Sequence, residues 1–333
     1  EYLGGRRMQF NIILIIGWVV FASGGWWTAS SDIEDDGSCN ANPGAQTEVL
    51  STAPRIYLHH GFLNTSQINH LRKLSEELGI FKEAPKDPHD KQDNRGYNQR
   101  YLDDSYYKDP IIMDLENRIS LLSHIPFEQG SGATLSLSVR NATGEPGMTN
   151  LHHDHNAAAL ALMEHARKGH TLPLTELHAT LLGYLVDVEK GGETIFPCVC
   201  NTLKKSCVKA QVACRLLYEK GVFNVHPRGH NAPFSLQPLD EQAMERVKRA
   251  AKTLVDRSLK LCSGKSNDGL RVVPRAGQAL LFFSNNVRGQ ADPRAWHGSC
   301  RVVAGQKMAT QRFLYAPQNQ EETGAHASAQ FNW

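Results

Sequence analysis

The stretch Leu151 to Asn156, reading Leu-His-His-Asp-His-Asn, constrains this chain more tightly than any other. Residues two apart on a β-strand share a face, so His152 and Asp154 are expected on one side and His153 and His155 on the other. One imidazole and one carboxylate on a common face make two thirds of a 2-His-1-carboxylate triad. That donor set holds non-haem Fe(II) and leaves coordination positions open. The third donor has to come from another segment. His297, in Arg294-Ala295-Trp296-His297-Gly298 and after a further run of strand-like sequence, is the candidate. His153 and His155 with His297 form a rival all-imidazole set, but that set lacks the carboxylate.

A chain of 333 residues can bury a substantial core. With a formal net charge of +2 and no long Lys/Arg block, no nucleic-acid footprint is expected. The amino terminus says more. Met8 to Ser31 carries no charge, Arg6 and Arg7 precede it, and Asp32, Glu34, Asp35 and Asp36 follow it, a polarity that predicts a cytosolic N-terminus and a lumenal remainder. The apolar run Ile12 to Ala22 fits a signal-peptide core with Ala22-Ser23-Gly24 as its cleavage site, whereas Gly25-Trp26-Trp27 favours a retained type II signal anchor. Either way the chain enters the secretory pathway. Glu1 rather than Met opens the sequence, and Met8 is the expected alternative start. The sequons Asn64-Thr65-Ser66 and Asn141-Ala142-Thr143 agree with a lumenal location. So do the seven cysteines, whose odd number leaves one free or paired between chains, with Cys39 the candidate.

These signals divide the chain into an anchor or signal peptide (1–31), a flexible stem (32–53), one large domain (54–316) and a polar tail (317–333). No internal repeat is present. The domain is expected to open with a strand at Arg55 to Leu58. A helix follows with Ile68, Leu71, Leu74 and Leu78 at helical spacing, capped by Asn64, Thr65 or Ser66. Pro85 to Asn98 reads as a charged loop, and Asp109 to Ile119 as an amphipathic helix burying Ile112, Leu115 and Ile119. Leu135 to Val139 alternates as a half-buried strand. Leu160 to Gly169 reads as a short helix, and Thr180 to Val188 as a strand with Thr180, Leu182 and Tyr184 on one side, closed by a turn at Gly191-Gly192. The stretch 198–269 holds four clustered cysteines, a polar loop through Pro227 and Pro233, and a helix from Pro238 to Leu261. Zinc is possible there in principle, but Cys-x-Cys-x6-Cys-x6-Cys lacks the usual Cys-x2-Cys pair, and disulfides are expected. Cys300 is likewise expected in a structural disulfide. Many short strands with helices near the start suit an α+β domain. Its core would be a double-stranded β-helix of the jelly-roll or cupin kind, with flanking N-terminal helices and a helical, Cys-containing insertion at 198–269.

Four segments in order resemble the catalytic domain of the prolyl 4-hydroxylases, which are 2-oxoglutarate- and Fe(II)-dependent dioxygenases. They are Leu-His-His-Asp-His-Asn, His178 to Pro197, Leu270 to Phe283, and His297 with Lys307 in Ala-Gly-Gln-Lys-Met-Ala-Thr. The resemblance covers about residues 54 to 197 and 262 to 315. It implies His152, Asp154 and His297 on iron, and Lys307 on the far carboxylate of 2-oxoglutarate. It implies Thr180 as a further co-substrate contact, and O2 and L-ascorbate as the remaining small molecules. The implied reaction hydroxylates a peptidyl proline at C4 with decarboxylation of 2-oxoglutarate to succinate, and the Pro85 to Asn98 loop would close over the peptide.

The compact, membrane-anchored type in the endoplasmic reticulum is implied, acting on a proline-containing polypeptide; nothing in the sequence sets the oligomeric state. Departures stand at Thr149, where the family has Tyr, at Arg140-Asn141 for Arg-Tyr, at Met308 for Trp, and at Phe313 for a later Trp. Two rivals follow: the same chemistry on another residue or a small molecule, and a catalytically silent binding subunit. Glu193 is expected to stabilise a turn.

Overall fold

The computed structural model describes residues 46–80, 97–126, 135–149, 151–155, 175–200, 204–226, 234–235 and 238–317. The expected anchor, most of the stem, Cys39, most of the charged loop, the helix at 160–169, the polar loop through Pro227 and Pro233 and all of the polar tail but Pro317 lie outside the described residues. No described helix is long and apolar enough to cross a membrane.

Antiparallel backbone pairing builds a major sheet of seven strands, here numbered in chain order. Across the sheet they run β1 (Gln46–Thr52), β2 (Arg55–His60), β12 (Ala279–Phe283), β6 (Thr175–Tyr184), β15 (Gln306–Pro317), β4 (Leu135–Asn141) and β3 (Tyr97–Tyr101). They range from the wholly buried β12 to the polar edge strand β1. A minor sheet is made by β11 (Leu270–Val272), β8 (Thr194–Phe196) and β13 (Gly298–Ser299). Phe196 and Val272 of the minor sheet pack on Ile56, Leu58, Leu280, Phe282 and Ala309 of the major one. This sheet-on-sheet packing is the jelly-roll core expected from the sequence. Two smaller pairings complete the strands: β5 (Leu151–His152) with β9 (Val222–Val225) and β10 (Phe234–Ser235), and β7 (Lys190–Gly191) with β14 (Val302–Ala304).

The other face of the major sheet is covered by two helices whose apolar stripes were readable. Helix α1 (Thr65–Glu77) starts at Asn64, which makes a capping box with Gln67. Helix α2 (Pro110–Ser123) has Pro at its start, Asp109 as N-cap, and buries Ile112, Leu115 and Ile119. They pack on Leu135, Leu137, Val139, Ala179, Leu181 and Met308. A third cluster belongs to the insertion. Helices α3 (Lys205–Glu219) and α4 (Glu241–Cys262) pack on each other and on Leu151, Trp296 and Cys300. Disulfides join Cys198 to Cys214, Cys200 to Cys207 and Cys262 to Cys300, so the expected preference over zinc holds and Cys300 is structural.

Three expectations need revision. The segment read as stem up to residue 53 is a strand from Gln46, because its backbone pairs along the edge of β2, aided by Thr47 on His59 and Glu48 on His60. β6 ends at Tyr184 rather than Val188, where Tyr184 N–H turns to Gln278 and Gly277 N–H to Tyr184. Helix α3 was not expected; apart from Leu217 its buried stripe, Cys207, Ala210, Ala213 and Cys214, is made of small residues that carry little hydrophobic signal.

Arg312 and Glu116 form an ion pair of 2.9 Å between β15 and α2, both side chains about fully buried. Removing one partner leaves the other charge uncompensated. Glu116→Ala is expected to cost about 3 to 5 kcal/mol, read from the urea midpoint at unchanged slope. Combining Glu116→Leu with Arg312→Met is expected to recover most of the loss.

Candidate active site

The three expected ligands meet where two distant segments touch. β5 ends at His152, and Asp154 and His155 already have helical backbone. The expected shared strand face is therefore replaced by a strand end and a helix start, and His152 and Asp154 meet because the chain curls at His153. His297 sits immediately before β13 and forms an antiparallel bridge with His152. The N–H of each donates to the carbonyl of the other, at 2.9 and 3.0 Å. One ligand atom from each of His152, Asp154 and His297 then lies within 4.8 Å of the others. Both Nε2 atoms approach the same carboxylate oxygen, Asp154 Oδ1, at 3.3 Å from His152 and 3.5 Å from His297.

Neighbouring groups fix how these donors face. His297 Nδ1–H donates to the Ala295 carbonyl at 3.0 Å, which leaves the Nε2 lone pair turned toward Asp154. Burial, against the pull of Asp154, lowers His297 to about 4, so the ring is neutral at pH 7. Burial raises the Asp154 carboxyl, but His297, His152 and the Thr180 hydroxyl outweigh it and hold the group well below the usual carboxylate range. A neutral imidazole lone pair facing an ionised carboxylate in a dry site is repulsive. A divalent cation between them turns that repulsion into coordination, and two imidazoles with one carboxylate suit Fe(II). Phe282 and Phe196 cover the His297 ring, with centroids 4.6 and 5.7 Å away, and keep this side apolar.

Thr180 Oγ1 donates to Asp154 Oδ2 at 2.8 Å. Its observed contact is thus with the carboxylate ligand, which it orients; contact with a co-substrate is a matter for the functional reading below. The rival all-imidazole set does not assemble. His153 is fully buried, donates from Nε2 to the Asp292 carbonyl at 2.9 Å and packs against Tyr218 and Trp296. His155 lies beside Tyr218 as well.

Lys307 enters the space between the two sheets from β15. Its Nζ donates to the Gly192 carbonyl at 2.7 Å and to Ser299 Oγ at 3.2 Å, and lies 5.5 Å from the Tyr184 ring centroid. Burial, and then the Arg140 charge, lower Lys307 to about 7 against the opposing pull of Glu193. The Gly191-Gly192 turn presents that carbonyl. Gly191 has φ +82, and a Cβ there would stand 2.2 Å from the Arg301 carbonyl oxygen, so only glycine fits. Tyr184 and Ser299 were not singled out as site residues. For Tyr184 the signal existed, since it shares the strand face of Thr180; Ser299 carried none. Glu193 stands 3.6 Å from Arg271 and its carbonyl accepts from Cys300 N–H, in keeping with a structural role.

The departures from the family pattern fall in different places. Met308 points into the helix-side core, so the lost Trp is a packing change away from Lys307. Thr149 Oγ1 donates to the Ser299 carbonyl at 3.0 Å. Phe313 pairs with Thr180 across β15 and β6.

The chain is similar to several known proteins. Prolyl 4-hydroxylase 1 of Arabidopsis thaliana is 25% identical over 291 residues, covering 86% of this chain and 77% of the relative. Prolyl 4-hydroxylase 2 of the same plant is 27% identical over 277 residues, covering 82% and 71%. Among solved structures, a viral collagen prolyl hydroxylase from Paramecium bursaria Chlorella virus-1 aligns with TM-score 0.41 and 11% identity over 79% of this chain and 90% of that one. No family model matches the chain.

If Thr180 orients Asp154 for metal, Thr180→Val is expected to weaken Mn(II) binding about 10- to 100-fold. Calorimetric titration of the folded variant checks this, and Thr180→Ser is expected to restore most of the affinity.

Proposed function

We infer that this chain, which belongs to the prolyl 4-hydroxylase family of 2-oxoglutarate- and Fe(II)-dependent dioxygenases, hydroxylates peptidyl proline at C4 and converts 2-oxoglutarate to succinate and CO2. The observation that carries this reading is the convergence of His152, Asp154 and His297 within 4.8 Å. In this reading the three side chains hold Fe(II), which when bound activates O2 with 2-oxoglutarate as reductant. Thr180 would keep the carboxylate ligand in place through its hydrogen bond to Asp154 Oδ2, and its hydroxyl would be a further co-substrate contact. Lys307 receives the far carboxylate, exchanging a carbonyl and a hydroxyl for an anion. In a site this dry such a charge-assisted bond is worth roughly 1.5 to 3 kcal/mol. Phe196 and Phe282 exclude water from the His297 side.

The location follows from the same reading. Three disulfides support an oxidising compartment, and the charge pattern of residues 1–36 supports a type II anchor with the catalytic domain in the endoplasmic reticulum lumen. Ascorbate would keep the iron reduced, and Asn64 and Asn141 would be the glycan acceptors. The replacement of Tyr by Thr149 supports a second reading, in which the same cofactors act on another residue or a small molecule.

Turnover of 2-oxoglutarate to succinate, measured with Fe(II) and ascorbate, is expected to rise with proline-rich peptides and to vanish in His297→Ala. The peptide is expected to gain one oxygen on proline. Turnover without such a product would favour the second reading, and a folded, iron-loaded chain without turnover would favour a silent binding subunit.

The lysine adds a pH dependence. Only protonated Lys307 pairs with a carboxylate, and without ligand it loses its proton at about 7. Affinity for 2-oxoglutarate is therefore expected to fall as pH rises above 7, by up to about tenfold per unit until the bound-state value is reached. Calorimetry between pH 6.5 and 9 tests it; a flat profile contradicts the assignment of Lys307.

A further inference from the structure

The two imidazoles of the site are not held alike. His297 has an acceptor for its Nδ1–H in the Ala295 carbonyl. His152 Nδ1 is buried and has no hydrogen-bond partner among the described residues. An imidazole that gives its Nε2 lone pair to a metal carries its proton on Nδ1, and away from water that proton needs an acceptor. In the form that binds metal, His152 is therefore a donor without a partner.

The insertion brings an acceptor to that place. Strand β9 pairs with β5 so that Leu151 is opposite Val225 and His152 is opposite Asn224. His152 spends its own N–H and carbonyl on His297, so toward β9 it belongs to a non-hydrogen-bonded pair. This is the closer of the two kinds of antiparallel pair, with both side chains on one face and Cβ atoms about 4.5 to 5.5 Å apart. Asn224, His152 and His297 thus form one row across three neighbouring segments, on the side where both Nε2 atoms approach Asp154. Asn224 is half-buried, and its Oδ1 is buried and, like His152 Nδ1, has no hydrogen-bond partner among the described residues. A buried donor and a buried acceptor left unmade are each costly, and one bond between them removes both costs. The terminal torsion of an asparagine is broad, so the oxygen can turn to the ring once a metal fixes it.

We propose that Asn224 is a positioning residue of the metal centre, its carboxamide oxygen accepting from His152 Nδ1–H and so holding Nε2 toward the metal. The insertion at 198–269, which the family resemblance does not cover, then supplies part of the site. The inference rests on the functional reading above, in which His152 is a metal ligand, and concerns a residue that reading does not use.

The test uses the full chain labelled in its histidine ring nitrogens, with Zn(II) as a closed-shell stand-in for Fe(II) in NMR and Mn(II) in calorimetry. With Zn(II), His152 is expected to bind through Nε2 and to show an Nδ1–H that exchanges slowly with water, as His297 does. Asn224→Leu keeps the side-chain size without the acceptor. It is expected to put the His152 N–H into fast exchange, to leave that of His297 slow, and to weaken Mn(II) binding about 10- to 100-fold. Asn224→Asp, which retains an acceptor oxygen, is expected to keep the slow N–H and most of the affinity. A wild-type chain whose Zn(II)-bound His152 has Nδ1–H in fast exchange, or binds through Nδ1, would overturn the proposal without any variant. So would a folded Asn224→Leu chain with wild-type Mn(II) affinity, or an equal loss in Asn224→Leu and Asn224→Asp, which a packing role alone would give. All of these leave the functional reading intact, whereas a folded wild-type chain that binds neither metal would overturn both.

Discussion

Everything proposed for this protein depends on one pair of backbone hydrogen bonds, those exchanged between His152 and His297. They lock together two segments far apart in sequence, and they set both imidazoles against the same carboxylate oxygen. The rest of the fold holds that bridge in register. Thr149 extends the pairing on the far side of β5 through Ser299, and the Met148–Cys300 bridge continues it. Cys300 is tied to α4 by disulfide, and Tyr218 of α3 lies against His153. The insertion thus packs directly behind the ligand strand rather than hanging from the domain as an ornament.

The site is electrostatically incomplete without its ligands. Asp154 is ionised and buried between imidazoles, and Lys307 is buried with a carbonyl and a hydroxyl as its hydrogen-bond partners. Each arrangement is costly in an apolar interior unless the opposite charge is supplied. The two demands are complementary, a cation at one centre and an anion at the other, and a metal with a dicarboxylate co-substrate meets both. The same desolvation that makes either charge costly on its own strengthens every contact between opposite charges there.

Much of this was legible in the chain and some was not. The triad could be found because His-x-Asp and His297 are chemically distinctive, yet the reason for their meeting was misread. A β-strand alternation was expected, whereas a strand end and a helix start were found. Helices α1 and α2 carried strong stripes and caps, so their burial was readable. Helix α3 was hidden by its small residues, and β1 by a polar composition that only an edge pairing with β2 could order. The partners of Lys307 were beyond reach, since Ser299 and the Gly192 carbonyl have no signature.

The most direct test of the account is the coordination of Fe(II) by the chain under anaerobic conditions, measured as metal stoichiometry together with X-ray absorption at the iron edge. One iron per chain with scattering from two imidazoles is expected, and loss of that iron in Asp154→Ala and in His297→Ala chains that remain folded. Failure of the folded wild-type chain to bind iron, or iron that keeps the same coordination when Asp154 or His297 is removed, would contradict it.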